Sequence, residues 1–442
     1  MTKLSTSQKA WVMYDWANSV YSLIIATAIF PVYYVSMTAD IGSLDTIFGT
    51  VDPAAVYSFS LTLAFLIVAL GSPVLSAIAD RTSKRHYFLT GFCSLGSAAC
   101  IGLYWFDAST TVWLAVVLSV LASVGFWGSI VFYNAYLPEI AEEKLRDELS
   151  ARGFAMGYFG SSLLLVVCLT MILAYETFGF ESAAQPTRLS FLLVGIWWFG
   201  FAMTCIYYLP KPRKPAAPDG TGSDHTRLTA MIILKRVAAQ VRRSKDLRFY
   251  LLAYFFFSTG VQTIFYIANL YGANELELPA GKLIATILVI QIIAIVGALS
   301  FSRLSARLGN LRAMQTALSL WALLCGLAFL MDKSQAWVEY YFYALGAGVG
   351  LVMGGIQSLA RSTYSKLLPP DADNTTFYSF YDVLEKIGVV LGTLLVGVTL
   401  QMTGSMKPAI LMLGGMFILS LLALIPVREP SNASRQASLT AG

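Results

Sequence analysis

The sequence predicts an all-α integral membrane protein in which twelve transmembrane helices form two pseudo-symmetric six-helix bundles. Three observations lead to this prediction: an apolar composition, twelve separate apolar segments and an internal repeat. Hydrophobic residues make up 57% and charged residues 12% of the 442 residues, whereas soluble chains have about 45–50% and about 25%. So few charges could not cover the surface of a soluble protein, so the apolar excess must face lipid. A secreted disulfide scaffold, a disordered chain, a coiled coil and a nucleic-acid-binding domain are thereby excluded.

Apolar segments long enough to cross a bilayer recur along the whole chain. A helix needs about 20 predominantly apolar residues to cross the hydrocarbon core. The first segment is too long, and too polar at its start, for a cleaved signal peptide, so we expect it to remain in the protein. The predicted spans are 10–37, 54–78, 86–106, 111–137, 151–175, 188–209, 248–271, 281–303, 312–331, 337–362, 377–402 and 408–427.

Basic residues are distributed unevenly between the two sides of these spans. Twelve spans place both termini on one side, and 25 of the 30 basic residues lie on that side, in the tails, the loops and the adjoining span ends. The opposite side has four, and one lies within a span. Because cytosolic loops carry the excess of lysine and arginine, both termini are predicted to be cytosolic.

The two halves of the chain share a loop sequence. Residues 76–85 follow the second span, residues 302–312 follow the eighth, and the two stretches align with an offset of 226 residues. Internal duplication in a membrane chain indicates two bundles that rock about a central site. The predicted domains are an N-terminal six-helix bundle, a cytosolic basic linker and a C-terminal six-helix bundle, at residues 1–210, 211–246 and 247–442.

The linker changes character along its length. It opens with a Pro/Gly-rich stretch and continues as a basic, amphipathic run over residues 227–243. Basic side chains there can bind anionic head groups while Met231, Ile232 and Leu234 contact the interface. A regulatory docking site and a plain connection are the alternatives.

The first repeated loop carries a recognisable pattern. Residues 79–85, Ala-Asp-Arg-Thr-Ser-Lys-Arg, resemble the signature between helices two and three of the major facilitator superfamily, with serine at positions 76 and 83 where the pattern has glycine. The second copy keeps Gly309 but has Ala306 in place of the acid. The resemblance implies the major facilitator fold. It also implies that the residues of a cytosolic gating latch are Asp80, Arg81 and Arg85, with loop capping as the alternative.

A narrower resemblance lies in the membrane segments. The stretch Tyr-Asp-Trp-Ala-Asn-Ser-Val-Tyr at residues 14–21, supported by residues 133–138, 153–161 and 355–362, is similar to the branch related to the autophagy vacuolar amino-acid effluxers. The resemblance implies efflux of neutral amino acids in the fungal members of that branch. The short linker and lean termini are typical of a bacterial member, so we expect it in a bacterial inner (plasma) membrane. We also expect a monomer.

Three charged residues share one face of the eleventh span. A charge inside a span costs roughly 2.5–3.5 kcal/mol on insertion scales unless it faces a cavity or a partner. Asp382, Glu385 and Lys386 stand at i, i+3 and i+4, and an acid four residues before a base is the favourable order for pairing. A pair between Asp382 and Lys386 leaves Glu385 to exchange a coupling proton or contact a substrate amine, while Lys386 could instead hold a substrate carboxylate. The alternative is a structural ion pair.

Uncharged polar side chains at membrane depth are the candidate substrate-binding groups. Amides and phenols with few fixed charges suit a small zwitterion or polar neutral solute better than a phosphate ester, which requires buried arginines. Arg361 is expected to extend to the cytosol instead. Each of these groups could alternatively make an interhelical hydrogen bond worth about 0.6 kcal/mol. The candidates are Asn18, Tyr21, Asn134, Tyr158, Gln262, Tyr266, Gln291 and Gln357.

Glycine repeats predict close helix contacts. Gly346, Gly350 and Gly354 recur every four residues in the tenth span, and Gly388 and Gly392 do so in the eleventh. Small residues at this spacing let helices approach closely and slide, or serve packing alone.

These observations together predict a secondary active transporter. It moves a small polar or zwitterionic solute, such as an amino acid, by alternating access, with protons as the candidate coupling ion and lipids as its surroundings. The chain has no Walker lysine motif, HExxH or GxSxG, and its five cysteines and two histidines form no metal-ligand pattern. We therefore expect no enzyme activity, no cofactor, no metal and no nucleic-acid partner. A facilitative uniporter and a non-transporting sensor or receptor of the same fold are the alternatives.

Overall fold

A computed structural model describes residues 3–46, 49–107, 111–211, 223–369 and 372–429 of the chain. Within these ranges, twelve helices have the length and apolar composition needed to cross a membrane. The predicted all-α architecture with twelve transmembrane helices is confirmed. The candidate spans are Thr6–Met37, Pro53–Thr82, Arg85–Trp105, Val112–Ile140, Glu143–Leu173, Ala184–Tyr208, Lys245–Ala268, Gly281–Leu308, Asn310–Leu330, Val338–Leu367, Asn374–Thr403 and Lys407–Leu424.

The α-helices are numbered in chain order. They are α1 Thr6–Val20, α2 Phe30–Met37, α3 Pro53–Thr82, α4 Arg85–Gly102, α5 Val112–Asn134, α6 Leu137–Ile140, α7 Glu143–Leu173, α8 Ala184–Tyr208, α9 Ser223–Arg243, α10 Lys245–Asn274, α11 Ala280–Leu308, α12 Asn310–Leu330, α13 Val338–Leu367, α14 Asn374–Thr403 and α15 Lys407–Leu424. The helix α9 contains the predicted amphipathic run, while residues 212–222 of the predicted linker lie outside the described residues. A 3₁₀ turn, Leu103–Trp105, follows α4.

A short antiparallel hairpin, which the sequence did not predict, joins the first two spans. Its strands are β1 Leu44–Thr46 and β2 Gly49–Val51, with Leu44 opposite Val51. The following helix α3 starts at a strong cap, because the Asp52 carboxylate accepts hydrogen bonds from two backbone amides of the first turn.

The first span contains a π-helical segment, Tyr21–Ala28, between α1 and α2. The Ile29 amide donates to the Ile24 carbonyl, five residues back, across 2.9 Å. Pro31 stands at the start of α2 and explains the wide turn, because proline has no amide hydrogen and its ring clashes with the carbonyl four residues earlier. Segments of this kind occur frequently at functional sites.

The chain forms two compact units. The first is Met1–Asn134 with Met156–Thr221, and the second is Ala135–Ala155 with Gly222–Gly442. In the first unit α1 packs on α8, α3 on α5, and α4 on both α5 and α8; in the second α10 packs on α15, α11 on α13, and α12 on both α13 and α15. The same four pairings therefore occur in each unit, as an internal duplication predicts.

Glycines allow the closest helix contacts of the second unit. A Cβ atom on Gly350 would lie 2.3 Å from the Ile290 carbonyl oxygen, and one on Gly354 would lie 2.1 Å from that of Ala294. No larger residue fits these positions of α13 without moving the backbone of α11. The glycine repeat of the tenth span thus forms a tight packing face.

The two copies of the repeated loop share a backbone feature. Ser83 has φ 54° and Gly309, 226 residues later, has φ 91°. Positive φ favours glycine, so Ser83 holds a conformation that its own side chain disfavours. After Gly309, the Glu429 carboxylate caps α12 by accepting hydrogen bonds from the Asn310 and Leu311 amides.

Candidate functional site

Three charged side chains of α14 form a buried cluster in the second unit. The Lys386 ammonium donates to Asp382 Oδ1 across 2.9 Å, as the i, i+4 spacing predicts, and these two side chains are 1% and 5% exposed. Glu385 Oε2 lies 3.9 Å from the same ammonium. An α-helix places i and i+4 side chains on one face, so the cluster follows directly from helix geometry.

The helix α10 holds Glu385 in place. Tyr254 donates its phenol hydrogen to Glu385 Oε2 across 2.7 Å, and the Gln262 side-chain amide donates to Oε1. The helices meet here because α14 carries Gly388, where a Cβ atom would lie 2.5 Å from Thr259 Oγ1. One donor on each carboxylate oxygen fixes the orientation of the Glu385 side chain.

Stacked tyrosines extend from Tyr254, the residue that binds this carboxylate. The Tyr381 ring stacks on Tyr254 at 3.6 Å between centroids and on Tyr364 at 4.8 Å. Tyr250 donates to a backbone carbonyl of α13 across 2.7 Å, which fixes its ring. Tyr266 lies one turn after Gln262 on α10 and therefore on the same side of that helix, near Glu385. The structure therefore brings two predicted substrate-binding residues, Gln262 and Tyr266, to the predicted coupling residue.

The cluster has an unbalanced charge and one unsatisfied atom. With Asp382, Glu385 and Lys386 all ionised, two negative charges meet one positive charge. Asp382 Oδ2 is buried and receives no hydrogen bond within the described part of the chain. A buried acceptor without a donor costs about 1–3 kcal/mol. The arrangement can therefore accept one proton or one cationic group.

The other predicted polar residues of the second unit stand on neighbouring helices. Gln291 on α11 is 4% exposed, and its Oε1 atom has no donor among the described residues. Gln357 on α13 is half-buried. Their position inside the unit suits polar contacts with a solute, and their role remains a prediction.

In the first unit the predicted substrate-binding residues are all buried. Asn18 is 1% exposed and its Nδ2 atom has no acceptor within the described ranges. The Tyr21 hydroxyl makes a hydrogen bond of 2.7 Å with the Ser123 hydroxyl. Asn134 ends α5, and Tyr158 lies on α7 beside the glycine that contacts α1. Among these four residues, Asn18 is therefore the strongest candidate to donate a hydrogen bond to a solute.

The predicted gating residues lie at one end of the first unit. Asp80 and Arg81 are half-buried in the last turn of α3, and Arg85 is buried at the start of α4. The left-handed residue Ser83 turns the chain between these helices. Their role as a latch remains a prediction.

Arg361 corrects a prediction from the sequence. Instead of extending to the cytosol, its side chain is buried in the second unit. It donates to the Ser150 hydroxyl at 3.0 Å and carbonyl at 2.9 Å, and its guanidinium lies 4.2 Å from the Phe154 ring centroid. Oxygen acceptors and a π face compensate the burial of this charge. Ser150 and Phe154 are spaced i, i+4 on α7 and so share one face of that helix. This spacing indicates a binding place for Arg361 only once the contact between α7 and α13 is known.

A second polar network was also missed. The Lys366 ammonium donates to Asp147 Oδ2 at 2.7 Å and to Asn310 Oδ1 at 2.8 Å. The Asn310 side-chain amide returns hydrogen bonds to Asp147 Oδ1 and to the Thr363 hydroxyl, and Ser305 donates to Asp147 as well. All five residues belong to the second unit, although Asp147 precedes the linker. In the sequence these residues resemble the polar residues that commonly occur at the ends of spans, so the sequence does not predict a network.

The α14 cluster is not accompanied by a metal site in the described part of the chain. No group of three or more His, Cys, Asp or Glu side chains there could hold a metal ion. A small, partly open cavity of about 50 Å³ lies among α10, α12, α13 and α15, lined by apolar groups that include Trp321 and Phe342. It contains none of the predicted site residues and does not suit a charged solute.

Comparison with known proteins identifies the family of this chain. The family model described as "Vacuole effluxer Atg22 like" matches residues 5–437. The chain is 29% identical over 446 residues to the MFS-type transporter YxiO of Bacillus subtilis (strain 168), covering 99% of this chain and 98% of that one. It is 25% identical over 535 residues to autophagy-related protein 22 of Coccidioides immitis (strain RS), covering 95% and 86%.

Solved structures show the same fold. The fucose:proton symporter FucP of E. coli matches with a TM-score of 0.65 at 13% identity, covering 96% of this chain and 98% of that chain. A bacterial homologue of the iron transporter ferroportin, in an outward-facing state, matches with a TM-score of 0.65 at 12% identity, covering 95% and 98%. The resemblance inferred from the loop signature and the first span is confirmed. The chain is an integral membrane protein of the major facilitator superfamily and belongs to the vacuole effluxer Atg22-like family.

Proposed function

We propose that this protein is a secondary active transporter that moves a small polar or zwitterionic solute, such as an amino acid, by alternating access, with protons as the coupling ion. One observation carries the proposal: the buried cluster of Asp382, Glu385 and Lys386 has one carboxylate more than its ammonium can neutralise. A charge imbalance inside a membrane span is costly, so the cluster needs an additional cation during its cycle.

The cluster offers a distinct contact to each charged group of a zwitterion. A solute ammonium can donate to Asp382 Oδ2, which has no donor within the described residues. The solute carboxylate can interact with Lys386, provided that the lysine shifts from Asp382. Gln262 and Tyr254 hold Glu385 and can transfer their hydrogen bonds to a neutral solute group when Glu385 takes up a proton.

A solute moves such a protein between states only if it binds the two states with different affinity. Because the donors and acceptors around Glu385 come from both α10 and α14, any motion between these helices changes the geometry of the contact. The latch formed by Asp80, Arg81 and Arg85 is proposed to stabilise one state against the other. In the first unit, Asn18 remains the candidate solute contact with an unsatisfied amide nitrogen.

The names of relatives support a transport function and leave the solute open. The family name describes vacuole effluxers, and the name FucP describes a fucose:proton symporter. The proposal that this chain transports an amino acid therefore rests on the charge and polarity of the cluster.

A thermal-shift screen of the purified protein against amino acids, small peptides and sugars tests the solute class. A ligand that binds the native state at about 100 times its Kd stabilises it by about 2.7 kcal/mol. We expect an amino acid to raise the unfolding temperature of wild type, Asp382→Asn to lose that shift, and Glu339→Gln to keep it, because Glu339 pairs with Lys282 outside the cluster. A sugar that stabilises both variants as well as wild type would contradict the proposal.

A further inference from the structure

The helix α9 has a cationic outer surface that no part of the transport proposal uses. It ends at Arg243, and α10 starts at Lys245, where the candidate span Lys245–Ala268 also starts. Only Ser244 separates the two helices. The end of α9 is therefore held where a membrane-crossing helix begins, which is the depth of lipid head groups.

One face of α9 is packed against the second unit. Ile233 and Val237 are 7% and 0% exposed, and α9 contacts α10 and α14. These two residues are four apart, so they lie on the same side of the helix. The packing fixes which face of α9 remains open.

The open face combines basic and apolar side chains. At 100° per residue its six exposed long side chains lie within an arc of about 140°. Met231 and Ile232 are 52% and 51% exposed. No acidic residue occurs between positions 231 and 243. The other exposed members of this face are Lys235, Arg236, Arg242 and Arg243.

The neighbouring ends of the unit continue this pattern. Lys245, Arg248 and Arg428 are exposed, and the Arg428 amide donates to Asp246 across 3.0 Å, which ties the end of the last span to the start of α10. Ile425, three residues before Arg428, is 69% exposed. Exposed aliphatic groups followed by exposed cations are typical of the boundary between hydrocarbon and head groups.

We propose that the open face of α9 is a binding site for anionic phospholipid head groups. The four cations attract lipid phosphates, and Met231 and Ile232 enter the acyl boundary beside them. Asp373, in the loop before α14, is an acid that interacts electrostatically with Arg236. It offsets one of the four cations and leaves a net positive face.

A fluorescent probe at position 232 tests this site in the full-length protein. The five native cysteines are buried, so Ile232→Cys can be labelled selectively. The protein is reconstituted into vesicles of phosphatidylcholine alone or with phosphatidylglycerol, each containing a lipid with a spin label near its head group. We expect quenching in the anionic vesicles to exceed that in neutral vesicles by roughly threefold, and high salt to reduce it because salt screens the attraction.

Two charge variants of the labelled protein separate charge from shape. The combined substitutions Lys235→Gln, Arg236→Gln, Arg242→Gln and Arg243→Gln should remove the difference between the two vesicle types. The charge-preserving set Lys235→Arg, Arg236→Lys, Arg242→Lys and Arg243→Lys should keep it. A probe at Ser334→Cys, in an exposed loop at the other end of the unit, should respond equally in both vesicles.

Equal quenching of the position-232 probe in neutral and anionic vesicles would overturn the proposal, and so would quenching that high salt does not change. A probe that stays unquenched in both vesicles would also overturn it, because the face would then point to water. If the glutamine variant does not fold, the salt dependence of quenching in the labelled Ile232→Cys protein still decides.

Discussion

Lys386 and Asp382 form an ion pair one turn apart on α14, with 2.9 Å between the ammonium nitrogen and Oδ1 and with both side chains almost fully buried. Each charge stabilises the other in a segment where an isolated charge would be costly. Beside this pair, Glu385 is bound by two donors from α10. The pair and the carboxylate together form the charged part of the proposed site.

Removing one member of this pair should cost more stability than removing both. Lys386→Met leaves two buried carboxylates without their cation, and such a loss costs about 3–5 kcal/mol. Adding Asp382→Asn to the same protein removes one of those charges, so the double variant should recover part of the loss. Thermal unfolding in detergent measures both, and a double variant less stable than Lys386→Met would contradict this account.

Arg361 should be sensitive to a change that keeps its charge. Lysine cannot reproduce both hydrogen bonds to Ser150 together with the contact to Phe154, so Arg361→Lys should lower the free energy of unfolding by about 1–3 kcal/mol. Arg307 is exposed on α11 and provides the matched control. Denaturant or thermal unfolding in detergent compares the two, and equal effects of Arg361→Lys and Arg307→Lys would rule out the buried role.

The repeated loops should respond to glycine in opposite directions. Ser83→Gly relieves a left-handed backbone and should stabilise the protein by about 0.5–1 kcal/mol. Gly309→Ala should destabilise it by about 1–2 kcal/mol, since its Cβ would also lie 2.9 Å from the Glu429 carboxylate. Gly326→Ala, in open space within α12, is the control and should not destabilise the protein, because alanine favours a helix interior over glycine by about 1 kcal/mol. A destabilising Ser83→Gly, measured by thermal unfolding, would show that the serine side chain contributes more than the backbone strain.

Two acids outside the spans should titrate with opposite effects on stability. Burial raises the pKa of Asp373 and Arg236 partly lowers it, so the folded state holds this proton more tightly than the unfolded chain. The contribution of Asp373 is therefore present at low pH and lost as pH rises through its folded pKa. Hydrogen bonds from Ser334 and the ammonium of Lys407 lower the pKa of Asp332 to about 2, so its contribution is present above the unfolded value and lost as pH falls towards 2.

The measurement is the unfolding temperature of wild type, Asp373→Asn and Asp332→Asn over a range from about pH 7 to about pH 3, which spans ordinary carboxyl pKa values. As pH falls, wild type should gain stability relative to Asp373→Asn and lose it relative to Asp332→Asn. Parallel curves for all three proteins would contradict these assignments.

The sequence predicts local features well because they depend on composition and helical spacing. Twelve apolar lengths predict the spans, and the i, i+4 spacing predicts the pair between Asp382 and Lys386. The partners of Glu385 are harder to predict from the sequence. Gln262 was a candidate only because it lies at membrane depth, and no sequence motif marks Tyr254. Which residue of α10 faces α14 depends on helix packing.

The buried networks around Arg361 and Asp147 could not be predicted for the same reason. Each joins residues more than 150 positions apart, and each contains a basic residue near the end of a span, where the positive-inside rule already explains it. The π-helical segment of the first span was not predicted. Pro31 at the start of α2 explains it once the structure is known, but the form of the segment depends on the carbonyls around it.

Solute uptake by reconstituted vesicles, driven by a pH gradient, tests the central claim most directly. Wild type, Glu385→Gln and the control Glu339→Gln are compared in two assays, accumulation against a solute gradient and exchange of labelled for unlabelled solute. We expect Glu385→Gln to lose accumulation by about tenfold or more while keeping exchange, because the amide preserves shape but cannot carry the proton, and Glu339→Gln to behave as wild type. A Glu385→Gln protein that concentrates solute as well as wild type would contradict coupling through this cluster.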